Sequence, residues 1–258
     1  MIKVLHKAID IVELLAKRPG ESVALGEIAG ELGMGLGTCS NILKTLIARG
    51  LAEQIAPKKG YRLGPLAYSL ASRGPYRQDI VSVAEPIIAA ASTRIDEAML
   101  LATVRGGRRY ILCKAESSRM LQVRTDAPYF TDLYETATGR LLLAYMPDHE
   151  RESYVLLHGL PGSAWPAAAG ARKLAAELER IREAGVTIND DQPDLAQVAC
   201  AVFEGGRAIA AVGASLPAVR FAGPQKKDVL ARTEAAARDI SSQLPAERTA
   251  GRQSWSRK

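Results

Sequence analysis

The chain has 258 residues, 47 % hydrophobic and 24 % charged, proportions of a folded protein with one or two domains, which exclude a disordered or fibrous chain. Three cysteines (Cys39, Cys113, Cys200) without CxxC spacing exclude a disulfide framework and a zinc finger, and no apolar run reaches the roughly 20 residues of a membrane span, so a soluble, unprocessed protein of the reducing cytoplasm with no membrane partner is expected. The net charge of +6 is uneven: residues 1–77 hold 11 Lys and Arg against 6 Asp and Glu, residues 78–245 hold 19 against 21, and residues 246–258 hold 4 against 1, so a polyanion partner is expected for the amino-terminal part.

Val4, Leu5, Ala8, Ile9, Val12 and Leu15 recur at helical spacing up to Arg18-Pro19-Gly20, which predicts a first helix. Ala24 to Leu32 predicts a second, with Ser22 as its N-cap. Gly33 breaks it, and GMGLGT, which lacks the GxGxxG and GK[ST] patterns of phosphate loops, reads as a tight turn. From Thr38 to Arg49, Cys39, Ile42, Leu43, Leu46 and Ile47 share one face while Thr38, Ser40, Asn41 and Lys44 take the others. LAEQIA and Tyr61-Arg62-Leu63 read as two strands around the basic turn Pro57-Lys58-Lys59-Gly60. Three helices and a basic hairpin describe a winged helix-turn-helix. Its third helix enters a major groove, where Thr38, Ser40, Asn41 and Lys44 reach base edges or phosphates, and its wing lays Lys58, Lys59 and Arg62 on phosphate.

Pro65 to Arg77 reads as a linker helix, and Ile80 to Arg94 as a helix interrupted by Pro86. MLLATV and RYILCK form a hairpin around Gly106-Gly107, and MLQVR reads as a further strand. Helices follow over Thr138–Tyr145, Asp148–Leu157 and Ala171–Glu183. The acidic loop with Asp190, Asp191 and Asp194 reads as a solvated loop rather than a cation site. A second hairpin turns at Gly205-Gly206, and a last helix covers Lys227–Leu244. Hairpins mixed with helices, without βαβ alternation, indicate an α+β domain around an antiparallel sheet. The domains expected are a winged helix-turn-helix over 1–64, a linker helix over 65–78, an effector-binding domain over 79–245 and a basic disordered tail over 246–258. No GxSxG, HExxH or P-loop occurs, and His6, His149 and His158 have no partner at motif spacing. Neither an enzyme nor a cofactor is expected.

The segments KAIDIVELLA, LGEIAGELGMGLGTCSNILKTLIARGLAEQ, YRLGP, TATGRLLLAYMP, LERIREAGV and ACAVFEGGRAIAAVGASLP occur in an order that resembles the IclR family of bacterial transcription regulators, from about residue 3 to 245. The resemblance implies a winged helix, a linker helix, a GAF/PAS-like effector domain that binds a small metabolite, and dimers or tetramers on palindromic double-stranded DNA operators. Tyr129, Tyr134, Thr136, Ala137 and Gly139 fall in the segment matching the family's effector loop, beside the amino end of the 138–145 helix, whose free N–H groups favour a carboxylate. A small organic or aromatic acid is therefore expected, with Met99, Leu101 and Ala199 to Val202, Cys200 among them, as apolar wall.

The chain departs from the family at several positions. Gly35, Leu36 and Gly37 stand where Pro, Lys and Ser are common, and Asn41 stands where Arg is frequent. Asp132-Leu133-Tyr134 replaces Pro-Leu-His, Arg140 stands at the lysine, and the family cysteine aligns with Gln197. The missing cations and added glycines leave a competing reading, a small-molecule sensor whose DNA module has decayed.

Overall fold

A computed structural model of the chain describes residues 2–56, 59–73, 78–123 and 129–244, which fall into two units, one up to residue 73 and one from residue 78. In the first, α1 (Lys3–Ala16), α2 (Leu25–Glu31) and α3 (Leu36–Ala48) bury Ile11, Leu15, Ile28, Leu43 and Leu46 against one another. In α2 and α3 these are positions that the helical spacing singles out, whereas α1 buries Ile11, Leu14 and Leu15 and leaves the expected Val4, Leu5 and Ile9 exposed. Arg18 binds Glu27 and Glu31 and ties the end of α1 to α2. Ser22 does not cap α2. The N-cap is Ala24, with no side-chain bond, because the preceding residue pairs with a strand: Val23 exchanges both backbone bonds with Tyr61, at 2.8 and 2.9 Å. Helix α3 starts two residues before Thr38, since the extended Gly35 accepts the Cys39 amide at 3.0 Å and draws Leu36 and Gly37 into the first turn. The wing strands β1 (Ala52–Gln54) and β2 (Tyr61–Leu63) are antiparallel, and α4 (Pro65–Arg73) leaves β2 with its Leu66 amide on the Gly50 carbonyl, 2.9 Å.

The second unit is built on a six-stranded antiparallel sheet in the order β5-β4-β3-β8-β7-β6. The strands are β3 (Ala98–Arg105), β4 (Arg108–Ala115), β5 (Tyr129–Phe130), β6 (Val186–Asn189), β7 (Leu195–Glu204) and β8 (Arg207–Pro217). Both tight hairpins turn on Gly-Gly, with φ +56° and +71° at Gly106 and Gly107 and +55° and +77° at Gly205 and Gly206, the two positive φ values a type I′ turn requires. Alternation along the strands gives the sheet two cores. Met99, Leu101, Val198, Cys200 and Val212 face α5 (Gln78–Ile95) and α9 (Gly223–Gln243). Leu100, Ala102, Ala199, Ala201 and Ala211 face α6 (Ala137–Tyr145), α7 (Asp148–His158) and α8 (Ala171–Ala184). Helix α6 is buried from Ala137 to Ala144, and α5 passes through Pro86 unbroken with that residue on the exposed side.

Three further expectations are corrected. MLQVR is no strand over its described residues 120–123. Arg220 takes the Leu121 carbonyl at 3.1 Å and Asp96 holds Ser117 and Ser118, so the backbone is tied to side chains instead of a ladder. The chain before the acidic loop forms β6, which pairs with β7 from Val186 to Asn189. The last helix begins at Gly223, four residues before Lys227.

Candidate functional site

In the first unit, Thr38, Asn41 and Lys44 lie exposed along one side of α3 with Thr45, whose hydroxyl bonds the Asn41 carbonyl at 3.1 Å. Ser40 is half-buried. The opposite side of the helix is core, through Cys39, Ile42, Leu43 and Leu46, so the polar stripe is the side that α3 leaves to solvent. On the wing, Lys59 is exposed, while Lys58 lies outside the described residues. Arg62 is not a free cation: the register sets Glu53 directly opposite, and the two form a cross-strand ion pair.

In the second unit, Thr136 caps α6, its hydroxyl accepting the Gly139 amide at 3.1 Å. The next donor is also taken. Gln197 Oε1 accepts the Ala137 amide at 3.2 Å and the Asn189 amide group at 3.3 Å, and Asn189 Nδ2 also donates to the Glu135 carbonyl at 2.7 Å. The cross-strand pair Asn189 and Gln197 thus packs on the amino end of α6, and of the N–H groups expected to be free those of Ala137 and Gly139 are occupied. Gly139 is required here, because a Cβ would lie 2.5 Å from the Leu133 carbonyl oxygen.

Beside this cluster Arg140, 2 % exposed, sends Nε to the Tyr134 carbonyl at 2.7 Å and Nη2 to the Ala164 carbonyl at 2.9 Å and to Asp191 Oδ2 at 2.8 Å, with its guanidinium 4.7 Å above the Trp165 ring. Burial holds its pKa below the ordinary arginine value and Asp191 pushes it back up. Tyr134 is buried, donates its hydroxyl to the Gly159 carbonyl at 2.8 Å, and is pushed up to about 12 by desolvation.

The structure therefore brings together Tyr134, Thr136, Ala137 and Gly139. It does not bring Met99, Leu101 and Cys200 to them: odd and even positions of a strand point to opposite faces, and these three belong to the α5–α9 core. Of the expected wall, Ala199 and Ala201 face α6, whereas Cys200 and Val202 do not. Tyr129 opens β5, and its side chain lies outside the described residues. Asn189, Arg140 and Asp191 were missed as site residues; the signal for Asn189 is strand register, which pairs it with Gln197, and Arg140 was noted only as standing at the family's lysine.

A helix-turn-helix with a wing, joined in one chain to a helix-covered antiparallel sheet, can be compared with known proteins. The family model described as the bacterial transcriptional regulator IclR C-terminal domain matches residues 76–242, and the IclR helix-turn-helix domain matches residues 4–56. The chain belongs to the IclR family. It is 28 % identical to the HTH-type transcriptional regulator TtgV of Pseudomonas putida over 195 residues, 74 % of this chain and 72 % of that protein. An IclR-type regulator from Alicyclobacillus acidocaldarius has the same fold, with a TM-score of 0.77 at 20 % identity over 95 % of this chain and 100 % of that one. So has an IclR homolog from Microbacterium hydrocarbonoxydans complexed with 4-hydroxybenzoate, with a TM-score of 0.74 at 20 % identity over 95 % and 100 % of the two chains. The unbroken run of α3 through Gly37 and the intact helix-turn-helix match argue against the decayed-module reading. No helix among the described residues is long and apolar enough to cross a membrane.

Proposed function

We propose that this IclR-family regulator binds a palindromic DNA operator as a dimer or tetramer and releases or engages it in response to a small organic acid. The exposed stripe Thr38, Asn41 and Lys44 on a helix whose other side is core is the observation that carries the DNA reading. Ser40 stands at the edge of that stripe. Lys58, Lys59 and Arg62 position the wing on phosphate, Arg62 more weakly because Glu53 offsets its charge. Pairing of copies is supported by the apolar stripe Ile2, Leu5 and Ile9 on α1, which is 67 %, 55 % and 48 % exposed, and by Tyr68 and Leu70 on α4.

The effector segment is Tyr134, Thr136, Ala137 and Gly139 with Asn189, Gln197 and Arg140. A buried guanidinium favours an anion, and the 4-hydroxybenzoate of the Microbacterium homolog supports an acid of that class. A gel shift with the gene's own upstream region, with and without organic acids, tests the reading. Retardation that an acid alters and its amide does not is expected. A chain that retards no fragment of that region, at low salt and with any acid, overturns it.

A further inference from the structure

A buried guanidinium needs its charge compensated and its donors bonded. On Arg140 the two tasks fall to different groups. The Tyr134 and Ala164 carbonyls and the Trp165 ring fix the side chain in place without offsetting its charge. The charge is offset by Asp191, its one ion-pair partner among the described residues. The two ends of this pair are unlike: the Arg140 side chain is 3 % exposed and the Asp191 side chain 34 %. Asp191 rides on the exposed 190–194 loop between β6 and β7, and that loop is fastened at its base by Asn189, 2 % exposed, through the Glu135 carbonyl and Gln197. The Asp191 amide also donates to Asn189 Oδ1 at 3.3 Å and the Ala218 amide bonds the Asp194 carbonyl at 3.0 Å, so the loop backbone is held and it is the half-exposed Asp191 side chain that can turn away from Arg140.

We infer that Asp191 is a built-in stand-in for the effector: the carboxylate of an incoming acid replaces it on Arg140, and the Asp191 side chain turns out to solvent. The inference rests on the acid reading proposed above and adds the residue that recognises the acid and the group it displaces. One carboxylate exchanges for another, so the buried charge stays compensated throughout. An amide of the same shape offers no charge and leaves the guanidinium short, so Arg140 separates acids from amides. A tethered carboxylate competes at high effective concentration, and removing it frees the site.

Calorimetry of the full-length chain with benzoate, 4-hydroxybenzoate and their primary amides, on wild type, Asp191→Asn and Asp191→Ala, tests this. Both variants should bind the acids about tenfold more tightly than wild type, the worth of one charge-assisted contact, with amide affinity unchanged. Acids bound equally by all three proteins overturn the exchange and leave the acid reading standing. Tightening for acids and amides alike also overturns it, since that reports a loosened loop and not a vacated charge. No binding of any acid by any of the three overturns both. Two substitutions at an exposed loop position keep the comparison available if one folds poorly.

Discussion

Glu97, wholly buried, is gripped by Arg220 123 residues away, its two oxygens receiving Nε at 2.6 Å and Nη2 at 2.7 Å. The same Nη2 bonds the Leu121 carbonyl, so one ion pair fastens the approach to β3, the segment after β8 and the 117–121 stretch together. Removing Arg220 leaves buried Glu97 only the half-exposed Arg119, 3.9 Å away and outside hydrogen-bond distance, and Arg220→Ala is expected to cost about 3–5 kcal/mol. Urea unfolding measures it. A loss below about 1 kcal/mol, the range of exposed pairs, shows that water reaches Glu97 and that burial is not what gives the pair its worth.

The thiols are expected to be inert in the folded protein. Burial pushes Cys113 up to about 11 and Cys200 up to about 12, and it raises Cys39 as well. A raised pKa means less thiolate at a given pH, and thiolate is the nucleophile. At pH 8 iodoacetamide should alkylate the native chain at least about a hundredfold more slowly than the urea-unfolded chain. Rapid native labelling of Cys200 would restore it to an open pocket and contradict its place beneath α9.

Two glycine-to-alanine substitutions should have opposite signs. At Gly139 a Cβ meets the Leu133 carbonyl oxygen at 2.5 Å and the Leu133 Cα at 2.8 Å, both backbone, so Gly139→Ala is expected to destabilise by about 1–3 kcal/mol. At Gly37, in the first turn of α3, a Cβ meets nothing within 4 Å, and Gly37→Ala should stabilise by up to about 1 kcal/mol. Thermal denaturation of both reads the difference. A stabilising Gly139→Ala would show that the first turn of α6 can move off the 133–136 segment.

Helices with one apolar side, such as α3 and α8, were legible because their period is set by a single core, whereas α1 is apolar on two sides and its spacing marked the exposed Val4, Leu5 and Ile9 beside the buried Leu15. Strand β6 was not: Val186-Thr187-Ile188-Asn189 is short, ends in polar residues, and owes its pairing to β7 rather than to its own pattern. MLQVR misled in the other direction, its composition suiting a strand while Arg220 and Asp96 hold the neighbouring backbone. At the candidate site Tyr134, Thr136, Ala137 and Gly139 were reached only through the resemblance of their segment to the family's effector loop, and the Thr136 cap was not foreseen. Met99, Leu101 and Cys200 were placed there wrongly because apolarity says that a strand residue is buried, while only the parity of the strand says on which face. Asn189, Arg140 and Asp191 converge through pairings 54, 24 and 51 positions apart in the chain, or through register, none of which a one-dimensional pattern carries.

DNA affinity should divide between α3 and the wing in a way that separates specificity from charge. Asn41 is exposed on a helix held by its other side, so its amide is free to pair with a base edge, and Asn41→Ala is expected to relax preference at one base pair of each half-site by roughly 1–3 kcal/mol. Lys59, exposed at the wing, has a charge and no shape to read a base with. Lys59→Ala should weaken all sequences alike and lower the slope of log affinity against log salt by about 0.9 for each phosphate that a bound head no longer neutralises. Arg62 is the informative control. Its charge is offset by Glu53 across the strand pair, so Glu53→Gln, which keeps the shape and removes the opposing charge, should raise affinity for every sequence and steepen the salt slope. Fluorescence anisotropy on one operator and one scrambled duplex between 50 and 300 mM salt, on the order of the range where counterion release dominates, measures all three. If Lys59→Ala and Glu53→Gln both leave the slope where it was, the wing does not touch phosphate and the α3 stripe carries the whole interface.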